Sequence, residues 1–198
     1  ERGQRIVRDL MMLSRAADER KEPIDLGRGL DSTVNMALNE IRHRARLTKD
    51  YGPTPAVEAN ESRLGQVFLN LLVNAAQAIP EGDADRNEVG IVTSTDEQGR
   101  AVVEVRDTGC GIPAENLRRV FDPFFTTKPI GQGTGLGLSI CHGIVQAMGG
   151  HIAIESEVGR GSTIRVVFPA ARPEASVAPP PPPSDAPGAR RGRILVVD

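Results

Sequence analysis

The 198 residues contain no tryptophan, one tyrosine and five phenylalanines, so the core must be aliphatic, built from Val, Ile, Leu and Ala. Cysteine is nearly as scarce. Cys110 and Cys141 show no metal-ligand spacing and cannot make a disulfide framework, a usage that fits a reducing cytoplasm. An excess of one charge is also missing. A net charge of −2 leaves no footprint for anionic membrane or nucleic acid, and no nucleic-acid partner is expected. No apolar run approaches the length needed to span a bilayer, and nothing reads as a secretory leader. The chain starts at Glu1 rather than Met and reads as a piece of something longer, whose missing upstream region could carry a membrane anchor.

Glycine, by contrast, is concentrated. Gly131, Gly133, Gly135 and Gly137 alternate with Gln132, Thr134 and Leu136, then run into the helical pattern Leu136, Ile140, Ile144, Val145, Met148. A backbone without Cβ can press close against a ligand. The helix that follows offers unpaired N–H groups and a positive dipole end to an anion such as phosphate. No Gly-Lys-Ser/Thr follows, so this is not a P-loop, and no strand–helix–strand context supports a dinucleotide fingerprint. Alone, the segment also reads as a flexible hinge.

Three further motifs accompany it. Asp107-Thr108-Gly109-Cys110-Gly111-Ile112-Pro113 follows the strand-like run Ala101–Val105. Upstream, the helical stretch from Gln66 to Ala78 carries Gln66, Asn70 and Asn74 at every fourth position, on one stripe. Between the glycine motifs lies Phe121-Asp122-Pro123-Phe124-Phe125-Thr126-Thr127-Lys128. In this order the four motifs resemble the N, G1, F and G2 boxes of the catalytic ATP-binding domain of sensor histidine kinases. That domain is the kinase branch of the GHKL superfamily, and the resemblance covers about Pro23 to Pro169. It suggests a parent of the hybrid-kinase, nitrogen-regulation type.

The periodicity predicts helices over 1–20, Leu30–Arg42, Glu61–Ile79 and Leu136–Met148. Strands are expected near Arg46–Asp50 and Ala56–Glu58. Two hairpins should follow, Val89–Thr95 with Ala101–Arg106, and Ile152–Ser156 with Thr163–Phe168. The expected fold is an α/β two-layer sandwich of the Bergerat type, with helices on one mixed, mostly antiparallel sheet. Four segments are expected. Residues 1–22 resemble the second helix of a dimerisation and phosphoacceptor hairpin, and 23–169 the ATP-binding domain. Residues 170–192 form a Pro- and Ala-rich spacer, and 193–198 (Arg-Ile-Leu-Val-Val-Asp) look like the first strand of a truncated receiver domain.

The resemblance implies ATP and Mg²⁺ as ligands. Asp107 would accept the adenine amine, with Gly109, Gly111 and Ile112 letting the backbone approach the base and Thr163 reaching it through water. Asn74 would ligate Mg²⁺, a hard cation commonly shared between few protein oxygens and phosphate. Asn70 and Lys128 would serve the transferred phosphoryl group, Lys128 as a point charge on a lid running from Ile112 to Gly133. Gly133, Thr134, Gly135, Leu136, Gly137 and Leu138 would cradle the phosphates. Gln66, Asn70 and Asn74 are uncharged and cannot act as general bases near neutral pH, which argues for transfer to a side chain over hydrolysis. The three histidines, His43, His142 and His151, lack the flanking residues of a phosphoacceptor box. The acceptor is therefore expected on an upstream hairpin, in a homodimeric parent that passes phosphate to a response-regulator receiver. A hydrolytic GHKL ATPase, a serine-directed kinase of the anti-sigma type and a non-catalytic nucleotide-binding module are the alternatives.

Overall fold

The computed structural model describes residues 21–129 and 133–171. The helix expected over 1–20, most of the spacer and the receiver-like strand lie outside them. The elements run β1 (Glu22–Ile24), α1 (Leu26–Ile41), β2 (Arg46–Tyr51), β3 (Val57–Ala59), α2 (Glu61–Gln77), β4 (Glu88–Thr95) and β5 (Ala101–Asp107). After these come α3 (Ala114–Leu117), α4 (Gly137–Ala147), β6 (His151–Glu157) and β7 (Gly161–Phe168).

The main sheet has five strands in the order β2-β4-β5-β7-β6, with β2 parallel to β4 and every other pair antiparallel. It is the mixed, mostly antiparallel sheet expected. One strand departs from expectation: β3 joins β1 in a separate antiparallel ribbon. That ribbon also ties down the end of the domain, since Ala170 bridges Val57 and the Ala171 N–H donates to Ala56 O at 2.7 Å. Among the described residues the first strand is thus β1, one residue before Pro23, and the pairing continues past Pro169.

Helices and sheet meet through aliphatic faces. Period-2 alternation turns Val89 and Ile91, Val103 and Val105, Ile164 and Val166, and Ile152 toward the core. Against them pack Leu30, Val34 and Ile41 of α1, Val67, Leu71 and Leu72 of α2, and Cys141, Ile144 and Val145 of α4. Helix α1 begins at Leu26, earlier than the apolar spacing suggested, because Asp25 caps it by accepting from the Gly27 N–H at 2.9 Å. Asn60 caps α2 in the same way through the Arg63 N–H at 3.0 Å. Capping fixes where α2 starts, and hence which of its residues emerge beside the sheet edge.

Candidate functional site

The site is built on the end of β5. Strand register sets Asp107 opposite Ser162, and Ser162 opposite Ser156, in one row across three strands on the helix-covered face. Asp107 Oδ1 accepts the Gly109 N–H at 2.8 Å. Burial pushes the Asp107 carboxyl above its ordinary range, while hydrogen bonds from Gly109 and Ser162 pull it partway back. Ser156 Oγ accepts the Ile112 N–H at 2.8 Å, donates to Gly161 O at 2.9 Å and lies 2.9 Å from Ser162 Oγ. The row opens on a cleft of about 330 Å³ lined by Asp107, Ser156, Arg160 and Ser162 among others.

Three glycines close this end by protein-on-protein packing. A Cβ on Gly109 would sit 2.6 Å from Ala78 O, at the C-terminal end of α2. One on Gly111 would meet Glu157 O at 2.1 Å, and one on Gly161, whose φ is +101°, would meet Asp107 O at 1.9 Å. Beyond the expected approach to a base, Gly109 and Gly111 have a packing role: their missing side chains let α2, β5 and the β6–β7 turn converge. The Cys110 N–H completes the junction by donating to Ala78 O at 3.0 Å.

Thr163 lines the same cleft, but from the other face of β7. It pairs with Arg106 and Glu155, so the pleat turns it to the opposite face from Asp107. Ser162 takes the position beside the carboxylate. Ser156 and Ser162 were both missed in the sequence, although counting two residues back from the apolar Ile164 puts Ser162 on the inner face.

The other end of the site lies between α2 and α4. Asn70, Asn74 and Gln77 emerge half-buried along one stripe of α2. A Cβ on Gly137, the first residue of α4, would lie 3.7 Å from Asn74 Nδ2, so the start of that helix abuts the amide. The first backbone N–H groups of α4 and the Asn74 amide therefore converge, which favours an anion. The Cys141 thiol of α4 donates to Val67 O at 3.6 Å; burial pushes it up to about 12, and the neighbouring Asn70 amide pulls it partway back. The side chain of Leu136 is buried in the core, while that of Leu138 is half-buried against it. Thr134 Oγ1 stands 3.4 Å from the Leu136 N–H.

The described part of the segment between the glycine motifs, up to residue 129, packs on α4 and the glycine loop. Phe121 stacks on His142 of α4 with ring centroids 5.1 Å apart, and the Arg119 guanidinium sits 4.5 Å over the Phe125 ring. The Phe124 N–H donates to Gly135 O at 2.9 Å, joining lid to glycine loop. Phe124 itself is 74% exposed and holds a positive φ of 66°. Lys128 packs its stem against Gly133 and sends Nζ to Gln77 Oε1 at 2.6 Å. Gln77 was not singled out in the sequence.

The pattern of the histidine kinase-, DNA gyrase B- and HSP90-like ATPase family matches residues 59–172, more than half of the chain. The chain belongs to this family. As a member it is an ATP-binding catalytic domain homologous to those of sensor histidine kinases. Sensor kinase CckA of Brucella abortus is 37% identical over 179 residues, which are 85% of this chain and 19% of that protein. The sensory histidine kinase/phosphatase NtrB of Rhizobium leguminosarum is 37% identical over 167 residues, 77% of this chain and 42% of that one. Among solved structures, full-length ShkA in complex with AMPPNP superposes with TM-score 0.70 at 27% identity, over 84% of this chain and 36% of that one. The mycobacterial sensor histidine kinase MprB gives 0.66 at 29% identity, over 75% and 97%. This chain thus spans less than half the length of the curated relatives it matches. Among the described residues no helix is long and apolar enough to cross a membrane.

Proposed function

We propose that this chain binds ATP with Mg²⁺ and transfers the γ-phosphoryl group to a histidine on an upstream helical hairpin, for relay to a receiver aspartate. The observation that carries the reading is the α2 stripe: Asn70, Asn74 and Gln77 line it without a carboxylate, beside the N-terminal end of α4. Water has no general base there, whereas an imported imidazole brings its own nucleophile. The AMPPNP held by the ShkA structure supports the nucleotide assignment.

In this reading Asp107 accepts from the adenine amine, which guanine replaces by an oxygen acceptor. The first N–H groups of α4 face the phosphates. Among the described residues no three of His, Cys, Asp and Glu gather into a metal site, so Mg²⁺ would rest on phosphate oxygens, water and the Asn74 amide oxygen. The ion would neutralise phosphate charge. Lys128 adds a positive charge near the group transferred. The acceptor nitrogen lone pair attacks phosphorus, the bond to the β-phosphate oxygen breaks, and ADP leaves with that electron pair. The imidazole sheds its remaining ring proton to solvent. A homodimeric parent and its receiver domain complete the relay.

Calorimetry should show ATP and ADP binding assisted by Mg²⁺, with little or no GTP binding. Given labelled ATP alone, the chain should turn it over slowly and leave His43, His142 and His151 unlabelled. Given a separate acceptor hairpin, it should phosphorylate that hairpin. Brisk hydrolysis without an acceptor would favour the ATPase alternative, and acid-labile phosphate on any of the three histidines would overturn the upstream acceptor.

A further inference from the structure

Gln77 is the last residue of α2, one turn beyond Asn74 on the same stripe. Its Oε1 accepts a hydrogen bond from Lys128 Nζ at 2.6 Å, across fifty-one positions of sequence. The rest of Lys128 is also constrained. Its backbone N–H donates to Thr126 Oγ1 at 3.2 Å, and a Cβ added to Gly133 would lie 3.4 Å from Lys128 Cδ. The stem thus lies along the start of the glycine loop, while the ammonium crosses to the helix that presents Asn74. Lys128 has further contacts besides these, and Gln77 joins it to the asparagine stripe.

We propose that Gln77 is a positioning residue, which holds the Lys128 ammonium beside Asn74 so that the lid delivers its charge to the nucleotide phosphates. The choice of an amide is informative. A carboxylate at position 77 would pair with the ammonium, cancel its charge and repel phosphate. An apolar side chain would take away one of the contacts that offset the entropy of ordering the long lysine side chain. The amide carbonyl orients the ammonium by a charge-assisted hydrogen bond and leaves its positive charge intact. The inference rests on the nucleotide-binding reading above and adds to it a residue acting through Lys128.

The test uses this chain and two ligands, ATP and adenosine, titrated by NMR at low and moderate salt. Gln77→Leu should weaken ATP binding about three- to tenfold and leave adenosine binding unchanged, a size typical of one coupled charged contact. Gln77→Glu should weaken ATP at least as much, and added salt should partly restore it by screening the new charge. In a Lys128→Met background, Gln77→Leu should have little further effect. Equal losses for ATP and adenosine would reduce Gln77 to a structural residue and overturn the proposal. So would full additivity of the Gln77 and Lys128 substitutions. If Gln77→Leu fails to fold, Gln77→Glu decides, since an ATP affinity equal to the parent's would also overturn it. Failure of the unsubstituted chain to bind either ligand would instead bring down the nucleotide-binding reading on which the inference stands.

Discussion

The two ends of the site are held by different means. At the Asp107 end, three strands present one row of side chains, and backbone packs on backbone where Gly109, Gly111 and Gly161 lack a Cβ. At the phosphate end, the positions depend on long side chains and on a lid tied down by a ring stack, a cation over a ring and the Phe124–Gly135 hydrogen bond. The first arrangement is preformed, because moving any part of it breaks sheet pairing. The second can rearrange at the cost of a few local contacts. A base of constant shape suits a rigid slot. Under the proposed function, phosphates that arrive, react and leave as ADP would meet a cover that can rearrange.

The most damaging test of this contrast is Gly161→Ala. At φ +101° with a carbonyl in the way, the methyl should cost about 2–4 kcal/mol in urea unfolding from backbone strain and overpacking together. Nucleotide binding should be lost with it. A near-neutral result would mean that the Asp107 end is as adaptable as the lid.

Asp107→Asn comes next and separates binding from stability. ATP affinity should fall roughly ten- to a hundredfold, since the amide can set a donor against the adenine amine. The variant should nevertheless melt at slightly higher temperature near neutral pH. Burial raises the folded-state pKa of Asp107, so the folded state holds its proton more tightly and loses stability as pH rises through that raised value. Binding follows the opposite course. The carboxylate is needed as acceptor, so ATP affinity in the parent should decline as pH falls toward the raised pKa, from a higher pH than an ordinary Asp would allow. Loss of melting temperature in Asp107→Asn would contradict the burial cost.

Asn74→Asp probes the softer end. Its effect should appear mainly in Mg²⁺ titrations of ATP binding, with a smaller change when metal is chelated. Identical Mg²⁺ curves for variant and parent would remove Asn74 as a ligand. The mildest probe is thiol labelling. Exposed Cys110 should alkylate readily, and bound ATP should slow it because Cys110 lies three residues on from Asp107. Buried Cys141, with its thiol pushed up to about 12, should stay unlabelled until the domain unfolds.

Asp107, Asn74 and the glycine run stand out in the chain as candidates because each is a local pattern. Asp107 follows an apolar strand run, Asn74 shares a helical stripe with Asn70, and the glycines alternate before an amphipathic helix. Their alternation and stripe periodicity also determined the layered fold and the side of each element that faces the core. What no local pattern holds is which residues from distant segments meet. Ser162 displaced Thr163 beside Asp107 because strand pairing set the register, and one residue of register changes the face. Lys128 meets Gln77 because α2 lies beside the segment that carries the lysine. Gly109 and Gly111 read as ligand-facing in isolation, yet their space is filled by Ala78 and Glu157 from elsewhere in the chain. The sequence by itself determined the elements and the kinds of group available, since short-range sterics and burial act within a few residues. Only the tertiary structure decided the partners, since each one depends on where a separate element is anchored by its own packing.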